Sequence, residues 1–342
     1  NFLCVLALAV KPSPYRRLFF IPLLLMSPYM LSLDVGHVTA NYMIGTVWFT
    51  YLFAASDWIL LTDVQRELHM VKPLQRADEP IEKASLSRRI SWGMKLWSST
   101  RGIGWAHEPR HALPPRPSPS TPRSTFVLSQ ILWAVVLAVL LEAVNFFNMP
   151  NPALYPGGPS LAAYGWVWRY EAVWAWGMPM YLLGVVQHHF AATLSVATGS
   201  SDPEDWPPFC GSITHSWSVR NFWGRTWHQS MRRFLSAHGK FLAHKVLGVK
   251  PGSKASAYIQ LYTAFLISGI MHYLPEYMAL RHWGGRALVF FLLQAVAITF
   301  EECVQQLGRR MGITANWKWK VVGFSWVWSW FAFCLPMWQD PL

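Results

Sequence analysis

The stretch Phe126–Phe147, FVLSQILWAVVLAVLLEAVNFF, decides the fold class because it is long and apolar enough to cross a lipid bilayer. A membrane-spanning helix needs about 20 predominantly apolar residues. The bilayer core has no water to satisfy free backbone groups, so such a segment is expected to be helical.

Further apolar stretches lie on both sides of this one and predict roughly seven or eight membrane spans in total. We expect the Tyr164–Val196 stretch to kink or break at Gly177 and Pro179, because proline removes a helical hydrogen bond. The other stretches are Phe2–Val10 (the tail of a span), Leu18–Leu33, Tyr42–Leu61, Ala257–Leu280, Ala287–Leu307 and Val321–Met337.

The composition supports a membrane protein, since 53% of the 342 residues are hydrophobic and only 13% are charged. Soluble domains carry about 25% charged residues. The 21 tryptophans and 12 tyrosines suit the aromatic belts that form at both membrane interfaces. We therefore predict an all-α polytopic helical bundle that forms a single membrane-embedded domain over 1–342.

Positive charge is concentrated in two long polar segments, 63–125 and 199–256, whereas the short link 148–163 has no Lys or Arg. Cytoplasmic loops carry an excess of these residues, so both long segments are predicted to be cytoplasmic. The net charge of +12 could also indicate nucleic-acid binding, but no nucleic-acid motif accompanies it. Within the second segment, Asn221–Gly248 mixes aromatic and charged residues, which predicts an amphipathic helix at the membrane face.

Several kinds of site find no support in the sequence. The four cysteines form no CxxC pair, and neither a metal-binding motif nor an ATP-binding Walker A loop occurs. We therefore expect no metal and no ATP-driven transport. The chain begins at Asn1 without a methionine, and we expect a further segment to precede it.

His272 is the first candidate for chemistry because it lies well inside the apolar stretch Ala257–Leu280. An ionisable residue in a membrane span is costly and usually functional. A neutral imidazole can serve as a general base. Glu276 follows four residues later and could orient the ring. The alternative is a structural histidine that bonds neighbouring helices.

The second candidate is a polar and aromatic segment in which helical spacing would place Asn221, Arg225 and His228 on one face. Trp223 and Trp227 would share another face. The polar face offers donors for a thioester carbonyl or a phosphate. The alternative is an interfacial helix anchored by its aromatic residues.

These segments together resemble the membrane-bound O-acyltransferase family, in particular its fungal wax-synthase-like branch, which includes terpenoid acetyltransferases. NFWGRTWH at 221–228 resembles the FW-x-R-x-W-(N/H) segment of that branch, and SGIMH at 268–272 resembles its SG-x-x-H segment. RGIGW at 101–105 and the WPPF-x-G pattern at 206–211 are similar to two further landmarks.

The resemblance implies that His272 is the catalytic base and that His228 takes a position where many members carry Asn. It also implies an acyl-CoA cosubstrate that enters from the cytosol, an acceptor that arrives within the membrane, and residence in the endoplasmic reticulum. His228 or Asn221 would stabilise the oxyanion. The candidates for binding the cofactor are Arg225, Trp223, Trp227, Arg232, Arg233 and Lys240.

The predicted function is transfer of acetyl from acetyl-CoA to a hydroxyl of a lipophilic terpenoid, with membrane lipid as the surrounding partner. Long-chain wax or steryl ester synthesis is the alternative within the family. Two alternatives come from other classes. A transporter would often show repeated halves, which are not found here. A terpene cyclase would need intramembrane carboxylates, and Glu171 or Glu301 could supply one.

Overall fold

The computed structural model describes residues 2–71, 80–155, 157–314 and 316–342. Helices make up 71% of the structure, and no strand occurs in these residues. The predicted all-α fold is therefore confirmed. In chain order the helices are α1 (Phe2–Ala9), α2 (Phe20–Ser32), α3 (Val38–Ser56), α4 (Val64–Glu67), α5 (Leu86–Ser98), α6 (Arg123–Asn148), α7 (Trp166–Ala197), α8 (Val219–Asn221), α9 (Arg232–Lys240), α10 (Lys254–Leu280), α11 (Ala287–Arg310) and α12 (Trp317–Gln339).

Each apolar stretch coincides with a helix, and four helices within the described residues are individually long and apolar enough to cross a membrane. These four are Val38–Leu61, Arg123–Asn148, Ala287–Arg310 and Trp317–Gln339. The 32 residues of α7 and the 27 of α10 give sufficient length, but polar side chains lower their mean hydropathy. The helix continues through Pro179, so of the predicted kink or break the break is wrong, and the kink stays a prediction. Membrane helices tolerate proline where neighbouring groups satisfy the freed backbone.

The described chain forms two compact units. The first comprises Asn1–Pro109 and Ser230–Ala295 with Pro341, and the second comprises Arg110–Gln229 and Val296–Asp340 with Leu342. The expectation of a single membrane domain stays a prediction.

In the first unit, α10 packs against α3 and α9, while α1 packs against α5. The contact between α9 and α10 is apolar, since Phe234 packs against Ile267 and Met271. Gly239 brings these two helices together, because a Cβ there would lie 3.0 Å from the Gln260 Cα. This packing holds the short helix α9 beside the helix that carries His272.

In the second unit, α6 and α7 pack along their length, and α12 packs against α7. Polar contacts join these helices: His189 Nδ1 lies 2.6 Å from Gln130 Oε1, and the Tyr170 and Ser329 hydroxyls are 2.7 Å apart. The apolar face of α6 is open, with Leu132 57% and Val139 64% exposed. Such a surface is stable in lipid rather than in water.

The predicted amphipathic helix over Asn221–Gly248 does not form as one element. Helix α8 leads into a π-helical turn at Phe222–Thr226, and the chain is extended at Trp227 before α9 begins. The preceding loop interrupts the helix: the Gly211 amide donates to the Thr226 carbonyl, and the Ser216 hydroxyl donates to Thr226 Oγ1. Hydrogen bonds to the preceding loop thus override the local helical pattern.

Candidate functional site

His272 lies half-buried on α10 and is held by a contact from each of two other helices. Its Nδ1 atom is 2.9 Å from the Tyr42 hydroxyl on α3. Its ring stacks on Phe291 of α11, with 4.6 Å between ring centroids and 5° between planes. The hydrogen bond and the stack together restrict both tilt and rotation of the imidazole.

Two glycines allow these contacts by bringing backbones close together. A Cβ on Gly269 would lie 2.9 Å from Leu288 Cδ1 and 3.1 Å from its Cα. Gly269 precedes His272 by three residues, and Leu288 precedes Phe291 by three. The close approach of α10 and α11 therefore leads directly to the ring stack one turn later. This is a physical reason for a glycine in the SG-x-x-H segment.

Gly45 has the same effect on the other side of α10. A Cβ at this position would lie 2.7 Å from Met278 Sδ and 3.0 Å from Pro275 Cα. The glycine lets α3 approach α10 closely enough for the Tyr42 phenol, one turn away, to reach the imidazole. The partner of His272 was not found from sequence, because nothing in the local pattern distinguishes Tyr42 from an interfacial tyrosine.

Glu276 has a role different from the one expected. It is fully buried, and both of its carboxylate oxygens accept from the Ala287 amide, at 3.1 and 3.0 Å. The carboxylate thus caps the first turn of α11, where free amides and the helix dipole favour negative charge. The prediction that Glu276 orients His272 is wrong, since its bonds are directed at the start of the next helix.

The segment that carries Asn221 and His228 lies in the second unit and is anchored by a buried carboxylate. Glu301 on α11 accepts from the Val219 amide at 2.6 Å and from the Arg220 amide at 3.2 Å. Trp326 Nε1 on α12 donates to the same side chain at 2.8 Å. Three elements of the second unit meet at Glu301, so this carboxylate, proposed for a cyclase, here serves to hold α8.

Aromatic contacts surround the rest of this segment. His228 stacks on Phe209, with ring centroids 5.3 Å apart. Phe222 stacks on Trp227 and meets Trp223 edge-on, at 5.8 and 5.1 Å. The predicted helical faces do not occur, because the chain leaves helical geometry before Trp227 and His228. Gln229 stabilises that departure by donating to the Trp223 and Trp227 carbonyls.

The basic candidates occupy different environments. Arg225 is exposed in the second unit, and Lys240 is exposed at the end of α9 in the first unit. Arg232 and Arg233 are partly buried on α9. Arg233 Nε donates to Asp57 Oδ2 at 3.0 Å, and its Nη2 donates to Thr62 Oγ1 at the same distance. The Asp57 carboxylate is fully buried, so this ion pair joins α9 to the end of α3.

A cavity of about 190 Å³ in the first unit lies beside this ion pair. Its walls come from α3, the end of α5 and α9, and they are mostly apolar. The residues lining it are Thr46, Val47, Thr50, Tyr51, Ala54, Trp58, Trp97, Thr100, Ser230, Arg233 and Phe234.

The cavity walls continue into the turns that hold His272. Thr46 lies one turn from Tyr42 and donates to its carbonyl at 2.9 Å, and Phe234 packs against Met271. From Thr46 to Trp58 the wall extends about 18 Å along the helix axis. Within the described residues, the hydroxyls of Thr50 and Ser230 lack a protein hydrogen-bond partner.

The RGIGW segment forms a tight turn in the same unit. Gly102 and Gly104 have φ of +67° and +81°, which favours glycine, and Trp105 is 1% exposed. His107 follows, and burial together with the positive charge of Arg233 lowers its pKa to about 4. His107 is therefore neutral at ordinary pH. A charged His107 would be repelled by the positive charge of Arg233.

Comparison with known proteins gives one family match. The profile of the Membrane bound O-acyl transferase family matches residues 206–293, which include both His228 and His272. No solved structure matches the chain.

Curated relatives match over nearly the whole chain. Acetyltransferase ple2 of Rhodocybe pseudopiperita is 35% identical over 98% of this chain and 87% of the relative. Acetyltransferase eriL of Hericium erinaceus is 35% identical over 99% of this chain and 88% of the relative. A more distant relative, O-Mevalon transferase macI of Penicillium terrestre, is 28% identical over 85% of this chain and 71% of the relative.

Proposed function

The chain belongs to the membrane-bound O-acyltransferase family and is an integral membrane O-acyltransferase, and from this we propose that it transfers acetyl from acetyl-CoA to a hydroxyl of a lipophilic terpenoid. The position of His272 carries the proposal. Its Nδ1 lies 2.9 Å from the Tyr42 hydroxyl, and we assign the reaction with the alcohol to its other nitrogen, Nε2. The names of two relatives support acetyl as the transferred group.

The proposed reaction is direct transfer without an acyl-enzyme. His272 Nε2 takes the proton from the acceptor hydroxyl, and the alkoxide oxygen forms a bond to the thioester carbonyl carbon. The resulting oxyanion is stabilised by a hydrogen-bond donor, for which the Asn221 amide and His228 are the candidates. The carbon–sulfur bond then breaks, and the CoA sulfur receives the proton from the imidazolium. The products are the ester and free CoA thiol.

We assign the cavity in the first unit to the linear arm of the acyl donor. Drug-sized ligands usually occupy about 300–1,000 Å³, so a narrow site suits a chain better than a ring system. The Thr50 and Ser230 hydroxyls offer partners for amide groups along the arm. Arg233, at the end of the cavity away from Tyr42, offers guanidinium N–H groups for a phosphate. Arginine binds phosphate oxygens well because its hydrogen bonds to them are charge-assisted. Arg225, Arg232 and Lys240 are further candidates for the phosphates, and Trp223 and Trp227 for aromatic contact with the cofactor.

A second candidate is transfer of a larger acyl group to the same kind of acceptor. The relative named O-Mevalon transferase favours this second candidate, because its name gives a transferred group other than acetyl. Residence in the endoplasmic reticulum, with 63–125 and 199–256 in the cytoplasm, completes the proposal and is consistent with a donor from the cytosol.

The test is a thiol-release assay on the purified protein with acetyl-CoA and palmitoyl-CoA in parallel, against terpenoid, sterol and fatty alcohols. We expect release from acetyl-CoA that requires a terpenoid alcohol. His272→Ala should lower the rate by about 10²- to 10⁴-fold, because removal of a general base has effects of that size.

Normal turnover by a folded His272→Ala protein would overturn the role of this histidine. Release from palmitoyl-CoA alone would assign the enzyme to long-chain ester synthesis instead of acetyl transfer.

A further inference from the structure

The contact between the Tyr42 phenol and the His272 imidazole joins two helices that are remote in sequence. The hydroxyl lies 2.9 Å from Nδ1, and 230 positions separate the two residues. Tyr42 also lies outside the residues that the family profile matches. No motif therefore includes it, and its role has to be argued from the geometry.

A histidine that acts as a base through one nitrogen must carry its proton on the other. In the proposed reaction the base is Nε2, and the phenol faces Nδ1. In the neutral ring, Nδ1 then holds the hydrogen and donates it to the Tyr42 oxygen. If the phenol donated to Nδ1 instead, Nε2 would carry the hydrogen and could not accept a proton. The bonding direction at Tyr42 therefore sets whether His272 is a competent base.

On this basis, which rests on the proposed function, we infer that Tyr42 is a positioning residue that holds His272 in the Nδ1–H tautomer and directs Nε2 toward the acceptor hydroxyl. The bond strengthens when the ring becomes an imidazolium, because hydrogen bonds from a charged donor are about twice as strong as neutral ones. Tyr42 thus favours the protonated ring that forms during the reaction.

A phenol suits this position better than a carboxylate. Soluble triads use Asp for the same purpose, but an extra carboxylate in a membrane span is expensive. The nearby carboxylate, Glu276, is directed at the start of α11. The Tyr42 oxygen supplies an acceptor without a charge, and the stacked Phe291 ring fixes the imidazole plane. The pair thus orients the base at low electrostatic cost.

The helices that contact His272 present the following side chains to it or beside it. Helix α3 presents the Tyr42 phenol, and α11 presents the uncharged Phe291. On α10 itself, the Tyr273 and Glu276 side chains bond to backbone groups.

The test is Tyr42→Phe, which keeps the ring and removes only the hydroxyl. Loss of a hydrogen bond to a charged group should lower kcat about 10- to 100-fold, with KM for both substrates within about twofold. The acidic limb of the pH–rate profile should move about half to one pH unit lower, because the imidazolium loses its acceptor. If the Tyr42 phenol were purely structural, Tyr42→Phe would not move the acidic limb of the pH–rate profile.

Tyr273→Phe is the matched control, since it removes a neighbouring phenol that donates to the Trp283 carbonyl rather than to His272. Its kcat and pH profile should be unchanged. If His272→Ala is inactive and Tyr42→Phe has normal kcat and an unmoved limb, the positioning role is overturned and the proposed function stands. If His272→Ala is active, both are overturned. Size-exclusion profiles and melting temperatures of the variants establish that each is folded.

Discussion

At the scale of the residue, the ion pair between Arg233 and Asp57 joins α9 to the end of α3 beside the cavity. The Asp57 carboxylate is fully buried and also accepts from the Thr62 hydroxyl at 2.7 Å. The Arg233 side chain is 22% exposed and lines the cavity. A buried carboxylate without its partner would be left uncompensated, so the pair has to be kept whole.

We expect Arg233→Met to lower the free energy of unfolding by about 3–5 kcal/mol, the usual cost of breaking a buried ion pair by removing one member. Thermal unfolding in detergent measures the change. Lys245→Met, which removes an exposed cation after α9, is the control and should change stability by less than about 0.5 kcal/mol. Equal melting temperatures for the two variants would show that the Arg233–Asp57 pair contributes nothing.

At the scale of the element, glycines determine how closely three helices meet around His272. Gly45 brings α3 against α10, and Gly269 brings α11 against α10. The contacts of His272 follow from both approaches, because Tyr42 lies one turn from Gly45, and Phe291 lies one turn from Leu288, which meets Gly269. Local helix propensity disfavours glycine by about 1 kcal/mol relative to alanine, so packing is the reason for glycine here.

Gly269→Ala should therefore lower kcat by about tenfold or more, because the new Cβ would push Leu288 away and loosen the Phe291 stack. A misplacement of about 1 Å in a site can cost up to about a hundredfold. Gly177→Ala in α7 is the matched control, since a Cβ there meets nothing within 4 Å. That control should keep its rate and gain about 0.4–1 kcal/mol in stability. A Gly269→Ala enzyme with normal kcat would contradict the packing argument.

At the scale of the whole molecule, the exposed apolar face of α6 and the four candidate spans indicate an integral membrane protein. The uneven distribution of positive charge gives the bundle a predicted orientation. The segments 63–125 and 199–256 hold most of the basic loop residues, and the link 148–163 holds none. Loop charge of this kind directs insertion.

Single cysteines introduced into sealed microsomes test this orientation. In a background with Cys210 and Cys303 replaced by serine, Ser118→Cys and Lys245→Cys should react with an impermeant maleimide added outside. Ala163→Cys, an exposed position in the short link, should react only after the membrane is permeabilised. Labelling of all three without permeabilisation, or the reverse pattern, would refute the predicted sidedness.

The sequence by itself determined the long apolar helices. A stretch of about 20 apolar residues in a bilayer satisfies its backbone hydrogen bonds within a helix. It also made His272 a candidate for chemistry, because an ionisable residue in such a helix is costly. Only the tertiary structure decided what surrounds that histidine. Tyr42, not Glu276, contacts its ring nitrogen, and the segment at 221–228 left helical geometry for hydrogen bonds with the preceding loop. Periodicity describes neighbours within one helix, whereas these contacts depend on where glycines let separate helices meet.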